Sequence, residues 1–142
     1  MRFWDSSAVV PLLVDESSSR AVQRLARDDA QLLVWRLTGA EVTSALWRRR
    51  RSGELDEAAA IAAEENLAVL ERAWACVDEL AQVELRARRL LALHELRAAD
   101  ALQLAAALVA CDEQPRLLPV VTLDRRLADA ARREGFRVSC PV

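Results

Sequence analysis

At 142 residues, with 22 acidic and 20 basic side chains and a formal net charge of −2, the chain has the size of one domain. Such a length buries roughly 70% of the surface an unfolded chain exposes. A charge so near balance argues against a strong non-specific nucleic-acid binder, and charged residues interrupt every apolar run well short of the roughly 20 residues that span a bilayer.

In chain order, Phe3-Trp4 reads as a short apolar strand, and Asp5-Ser6-Ser7 leads into a helix over residues 8–14 that the polar run Asp15-Glu16-Ser17-Ser18-Ser19 breaks. Residues 20–27 fit a second, amphipathic helix with Val22, Leu25 and Ala26 on one side, and residues 31–35 a strand. Thr38 opens a helix to Arg51, which Ser52-Gly53 closes. Leu55, Ala59, Ala62, Leu67, Leu70 and Trp74 recur at near-helical spacing, so this helix and its predecessor should form a hairpin, with Trp47 and Leu67 available to a partner. Residues 74–77 suit a third strand, 82–95 an Arg-rich helix, 98–110 an alanine-rich helix and 114–116 a loop. Residues 117–121 are the clearest strand, and Thr122-Leu123-Asp124 turns out of it. A helix over 125–133 and a strand over 136–138 follow, divided by Gly135. Strands alternating with helices predict an α/β domain over residues 1–142 with a mainly parallel sheet.

Four acids stand where these strands hand over to helices: Asp5 in FWDSS, Glu41 in LTGAE, Asp100 in RAAD and Asp124 in VVTLD. In a parallel sheet the carboxyl ends of the strands and the starts of the following helices share one edge, so the four should meet in one cleft. Hard oxygen ligands without His or Cys suit Mg²⁺ or Mn²⁺. Each acid also has a plainer explanation. Asp5 and Asp124 suit helix N-caps, Glu41 stands three residues after Thr38 in a capping-box pattern, and Asp100 complements a helix dipole. The recurrence at strand-to-helix junctions favours the cleft, since Asp15, Glu16, Asp28 and Asp29 sit in polar loops.

Asp5-Ser6-Ser7 after a first strand, Glu41 within AEVTSALWR, Asp100 within LRAADALQLAAA, and Thr122-Leu123-Asp124 before a final helix together resemble a PIN domain, specifically a VapC-type toxin, over residues 2–138. The resemblance implies a three-layer fold with a five-stranded parallel sheet and helices on both faces. It further implies an endoribonuclease dependent on Mg²⁺ or Mn²⁺ that leaves 5′-phosphate and 3′-hydroxyl ends, a cognate antitoxin protein and a homodimer. Ser7 and Thr122 match the family's hydroxyl positions near the metal, and Arg48 a basic position after the second acid. The expected arrangement has Asp5 and Asp100 holding the principal ion, Asp124 completing the site, and Glu41 binding a second ion or orienting water. Ser7 and Thr122 would fix the carboxylate rotamers.

Rival assignments fail on the same letters. A receiver domain or a haloacid-dehalogenase-type phosphatase calls for a catalytic Lys, and all 20 basic residues here are Arg. Metal-free ribonuclease chemistry needs a second base beside His94, which is alone and expected to be structural. With Gly39, Gly53 and Gly135 the only glycines, phosphate-cradling loops are excluded. Cys76, Cys111 and Cys140 have no metal-ligand spacing and are expected to stay reduced. The Arg clusters at 48–51, 86–89, 125–126 and 132–133 are candidates for gripping an RNA backbone, Arg48, Arg49 and Arg50 above all. Their alternative is a solvated helix face with acids three or four residues away. The start MRFWDSS has no secretory apolar region, so a cytoplasmic location without membrane attachment is expected. Two alternatives to the toxin are a PIN nuclease of RNA processing and a PIN-like module that binds RNA or an antitoxin without turnover.

Overall fold

The structure, a computed structural model, describes residues 1–141. Five short strands, β1 (Arg2–Trp4), β2 (Leu32–Trp35), β3 (Ala75–Val77), β4 (Val120–Val121) and β5 (Val138–Ser139), form one sheet in the order β3-β2-β1-β4-β5. Every pairing is parallel, so each connection must cross over the sheet, and helices supply the crossovers. On one face lie α1 (Ser6–Leu13), α2 (Ser19–Arg27), α3 (Thr38–Arg51) and α4 (Glu57–Ala73). On the other lie α5 (Leu80–Leu93), α6 (Ala98–Ala110) and α7 (Arg125–Arg133).

Strand alternation divides the core in two. Trp4, Val34 and Val121 face the α1–α4 side with Val9, Val42 and Leu46, while Phe3, Trp35, Val77 and Val120 face the α5–α7 side with Leu90, Leu104 and Leu127. Burial on both faces explains why these strands read as continuous apolar runs. The alanines at 101 and 105–107 are all buried and let α6 lie close to the sheet.

Three expectations are corrected. The strand over 117–121 shrinks to Val120–Val121, because Pro115–Leu117 is a 3₁₀ turn and Pro119 has no N–H to give a ladder; its carbonyl still accepts from Phe3 N at 2.9 Å. The last strand slides from 136–138 to Val138–Ser139, since Gly135 (φ +101°) ends α7 and Phe136 N–H closes back onto the Ala131 carbonyl at 3.0 Å. Phe136 thereby belongs to the helix stop and buries its ring. Leu67 is core, 5% exposed and closed to any partner, whereas Trp47 is 47% exposed. Among the described residues no helix is long and apolar enough to cross a membrane.

Candidate active site

In the order β3-β2-β1-β4-β5 the chain runs outward from β1 in one direction and from β4 in the other, which opens a crevice at the carboxyl ends of these two central strands. Asp5 follows β1 and Asp124 follows β4 through Thr122-Leu123; α3 brings Glu41 and the first turn of α6 brings Asp100. All four carboxylates line one cleft of about 650 Å³, together with Ser6, Ser7 and Arg48.

Asp5 is 3% exposed and caps α1 by accepting from Ser7 N at 3.3 Å. The same oxygen, Oδ2, accepts from Ser7 Oγ and, at 2.8 Å, from Thr122 Oγ1. Those hydroxyls are themselves held: Ser7 Oγ accepts from Leu123 N at 2.9 Å and Thr122 Oγ1 from Asp124 N at 3.0 Å. The loops after β1 and β4 are thus tied through one carboxylate. Burial pushes the Asp5 carboxyl up, the Ser7 and Thr122 bonds pull against it, and the charge of Asp124 adds to the push.

Asp124 caps α7 through Oδ1, which accepts from Arg126 N at 2.9 Å and Leu127 N at 3.2 Å. Asp100 is half-buried, and burial followed by the charges of Asp124 and Asp5 raises its carboxyl. Glu41 is no capping-box residue. The α3 cap is Leu37, with no side-chain cap bond, and the wholly buried Thr38 accepts from Gln103 Nε2 at 3.2 Å instead. Glu41 accepts from Ser6 Oγ at 2.9 Å and Gln103 Nε2 at 3.3 Å. Burial raises Glu41 as well, opposed by the Ser6 bond and reinforced by the charge of Asp5.

Among the described residues no ion pair engages any of these four acids. Four carboxylates in one cleft with no paired cation, three of them (Asp5, Glu41 and Asp100) raised by burial and by neighbouring acids, make a donor set that fits a hard divalent ion. Among the described residues no three acid, His or Cys side chains converge closely enough to enclose one ion. Mg²⁺ does not require such a cage, because it keeps several waters and takes one or two carboxylates together with substrate phosphate.

Of the arginine run, only Arg48 reaches the cleft, two turns along α3 from Glu41. Arg49 is turned to Glu16 at 3.2 Å, and Arg50 is half-buried outside the cleft lining. Ser6 and Gln103 were not singled out by sequence. Gln103 carried a signal nonetheless, as the one polar residue in the otherwise apolar stretch from Ala101 to Ala110. His94 is spoken for outside the cleft: its Nε2 lies 2.7 Å from Glu134. The three cysteines are unpaired.

Residues 2–133 match the PIN domain family model. Two curated relatives from Mycobacterium tuberculosis, Ribonuclease VapC45 (strain CDC 1551 / Oshkosh) and Ribonuclease VapC49 (strain ATCC 25618 / H37Rv), are each 36% identical over 137 residues, covering 96% of this chain and 93% of the relative. Among solved structures, FitAcB from Neisseria gonorrhoeae superposes with a TM-score of 0.66 at 20% identity over 99% of this chain and 98% of that one. Mycobacterium tuberculosis VapC20, a toxin that cleaves the sarcin-ricin loop, superposes with a TM-score of 0.67 at 18% identity over 96% of each chain. The five-stranded parallel sheet, its two helical faces and the four acids in its central crevice are thus met together with a family match over nearly the whole chain, and the protein belongs to the PIN-domain family.

Proposed function

We propose that this chain is an endoribonuclease dependent on Mg²⁺ or Mn²⁺ and acts as the toxin of a toxin–antitoxin pair. The observation that carries this assignment is the cleft at the switch between β1 and β4, where four carboxylates share one space without a cationic partner. Two relatives named as ribonucleases, each matched over 96% of this chain, support it.

Asp5, Asp100 and Asp124 would hold the divalent ion, directly or through water. When bound, such an ion supplies a hydroxide at neutral pH and offsets charge on the phosphate and the departing 3′ oxygen. Ser7 and Thr122 hold Asp5 by donating to it, which favours the charged carboxylate against the burial that disfavours it. Glu41, on the other wall, orients the attacking water. Arg48 engages an RNA phosphate with its planar guanidinium. The P–O3′ bond breaks, leaving a 5′-phosphate and a 3′-hydroxyl.

The partners that accompany this function are an RNA substrate, a cognate antitoxin protein and a second copy of the chain, in the cytoplasm. Purified protein freed of antitoxin should cleave structured RNA with Mg²⁺ or Mn²⁺ and stop when the ion is chelated. Asp5→Asn and Asp100→Asn should each abolish cleavage while Asp15→Asn leaves it intact. Equal cleavage in chelator would overturn the assignment.

A further inference from the structure

Gln103 sits three residues after Asp100 on α6, yet it is 1% exposed, on the buried side of α6 with Leu104 and Ala107 and next to Asp5. A buried amide costs stability unless its polar atoms are paired, and this one is only half paired: Nε2 donates to Thr38 Oγ1 and Glu41 Oε1, while Oε1 has no partner among the described residues. A leucine would fill the same space and remove the orphaned Oε1, and apart from Glu41 the only group it would deprive is the Thr38 hydroxyl, so packing alone does not account for the amide. The beneficiary is Glu41. One of its oxygens accepts from Gln103 on α6 and the other from Ser6 on α1, so two neutral donors from two helices hold the carboxylate carried by a third. Neutral donors fix the head of a long side chain without cancelling its charge, which an arginine would do.

We propose that Gln103 is a positioning residue that, together with Ser6, fixes the Glu41 carboxylate in the cleft for the divalent ion and the attacking water, touching neither itself. The proposal rests on the ribonuclease assignment and adds to it the device that holds the fourth acid. Residues that hold a metal ligand in place characteristically change metal affinity or activity by 10- to 100-fold when lost.

The test is a double-mutant cycle of Gln103→Leu with Glu41→Gln, read by Mn²⁺ binding in calorimetry, by kcat and KM for RNA cleavage, and by melting temperature in chelator. Gln103→Leu should weaken Mn²⁺ binding about tenfold or more and lower kcat with KM little changed, while still unfolding in one cooperative transition in chelator. In the Glu41→Gln background it should have no further effect, because a residue acting only through Glu41 has nothing left to position. Ser6→Ala, which removes the other arm outside the core, should show the same dependence on Glu41 and keeps the test open should Gln103→Leu not fold. Equal losses in both backgrounds, or Mn²⁺ binding unchanged in a folded Gln103→Leu, overturns the proposal. A parent that neither binds Mn²⁺ nor cleaves RNA overturns the ribonuclease assignment, and the positioning role with it.

Discussion

Thr122→Val swaps a hydroxyl for a methyl of almost the same size at a site with no exposure, so its cost isolates hydrogen bonding from packing. The hydroxyl donates to Asp5 Oδ2 at 2.8 Å and accepts from Asp124 N at 3.0 Å. A bond to a charged group contributes about 1.5–3 kcal/mol and a neutral one about 1 kcal/mol, so the variant should lose about 3 kcal/mol. For a domain of this size that corresponds to on the order of 10 °C in Tm. The loss should also depend on pH with a definite sign. The Thr122 bond favours the charged form of Asp5, so its removal raises the folded carboxyl further above its unfolded value than burial already does. The charge-specific part of the loss is complete above the raised folded value and vanishes as pH falls through it. Urea unfolding at pH 8 and pH 5 in chelator should therefore show a wider gap between parent and variant at pH 8. Thr122→Ser, which keeps the hydroxyl, should retain most of the charge-specific part. A gap below about 1 kcal/mol, or one that widens on acidification, would refute the idea that Thr122 sustains a buried carboxylate.

Burial and the charges of Asp124 and Asp5 raise Asp100, so the folded chain binds more protons than the unfolded one, and the resulting penalty is absent below about pH 4 and complete above the raised value. In chelator at neutral pH, Asp100→Asn should melt above the parent, by a margin that shrinks on mild acidification, and Mg²⁺ should raise the parent's Tm more than the variant's; a variant that melts lower would reduce Asp100 to a helix-dipole charge. Arg48→Ala should lower the slope of log affinity against log salt by about one in RNA binding by an Asp5→Asn background, whereas Arg49→Ala, already paired with Glu16, should not; equal slopes return Arg48 to a solvated helix face. Expression should arrest growth unless the antitoxin is co-expressed, and normal growth with active, folded protein present would favour an RNA-processing role.

The sequence carried the helices best, because their signals are local. Thr38–Arg51, Ala98–Ala110 and Arg125–Arg133 fall where periodicity and stop residues put them. The strands were less legible, since each spans only two to four residues and the central β1 and β4 are buried on both faces, so nothing in the letters marks where pairing stops. Only the structure shows Pro115–Leu117 drawn off into a 3₁₀ turn and Phe136 into a helix stop. The four acids were found because the carboxyl edge of a parallel sheet gathers residues that sit at the same stage of successive strand–helix units. Side-chain partners were another matter. The resemblance marked Arg48, but nothing within the run of four arginines shows that Arg49 faces a different neighbour, which it does because adjacent helical positions differ by about 100° around the axis.

Helix cap and metal ligand are not competing roles for Asp5 and Asp124. At the end of a parallel strand, the residue that opens the next helix is also the residue that overlooks the crevice, so one carboxylate is placed where it can do both. Its two oxygens make that feasible. On Asp124 both cap bonds fall on Oδ1, and on Asp5 the cap, the Ser7 hydroxyl and the Thr122 hydroxyl all fall on Oδ2, with only a long 3.5 Å contact from Ser6 on Oδ1. In each case one oxygen anchors the side chain to the protein and the other is left with little or nothing from it. A cap needs only the first; the same division on both acids, beside Asp100 and Glu41 in one cleft, is the arrangement a cation would use.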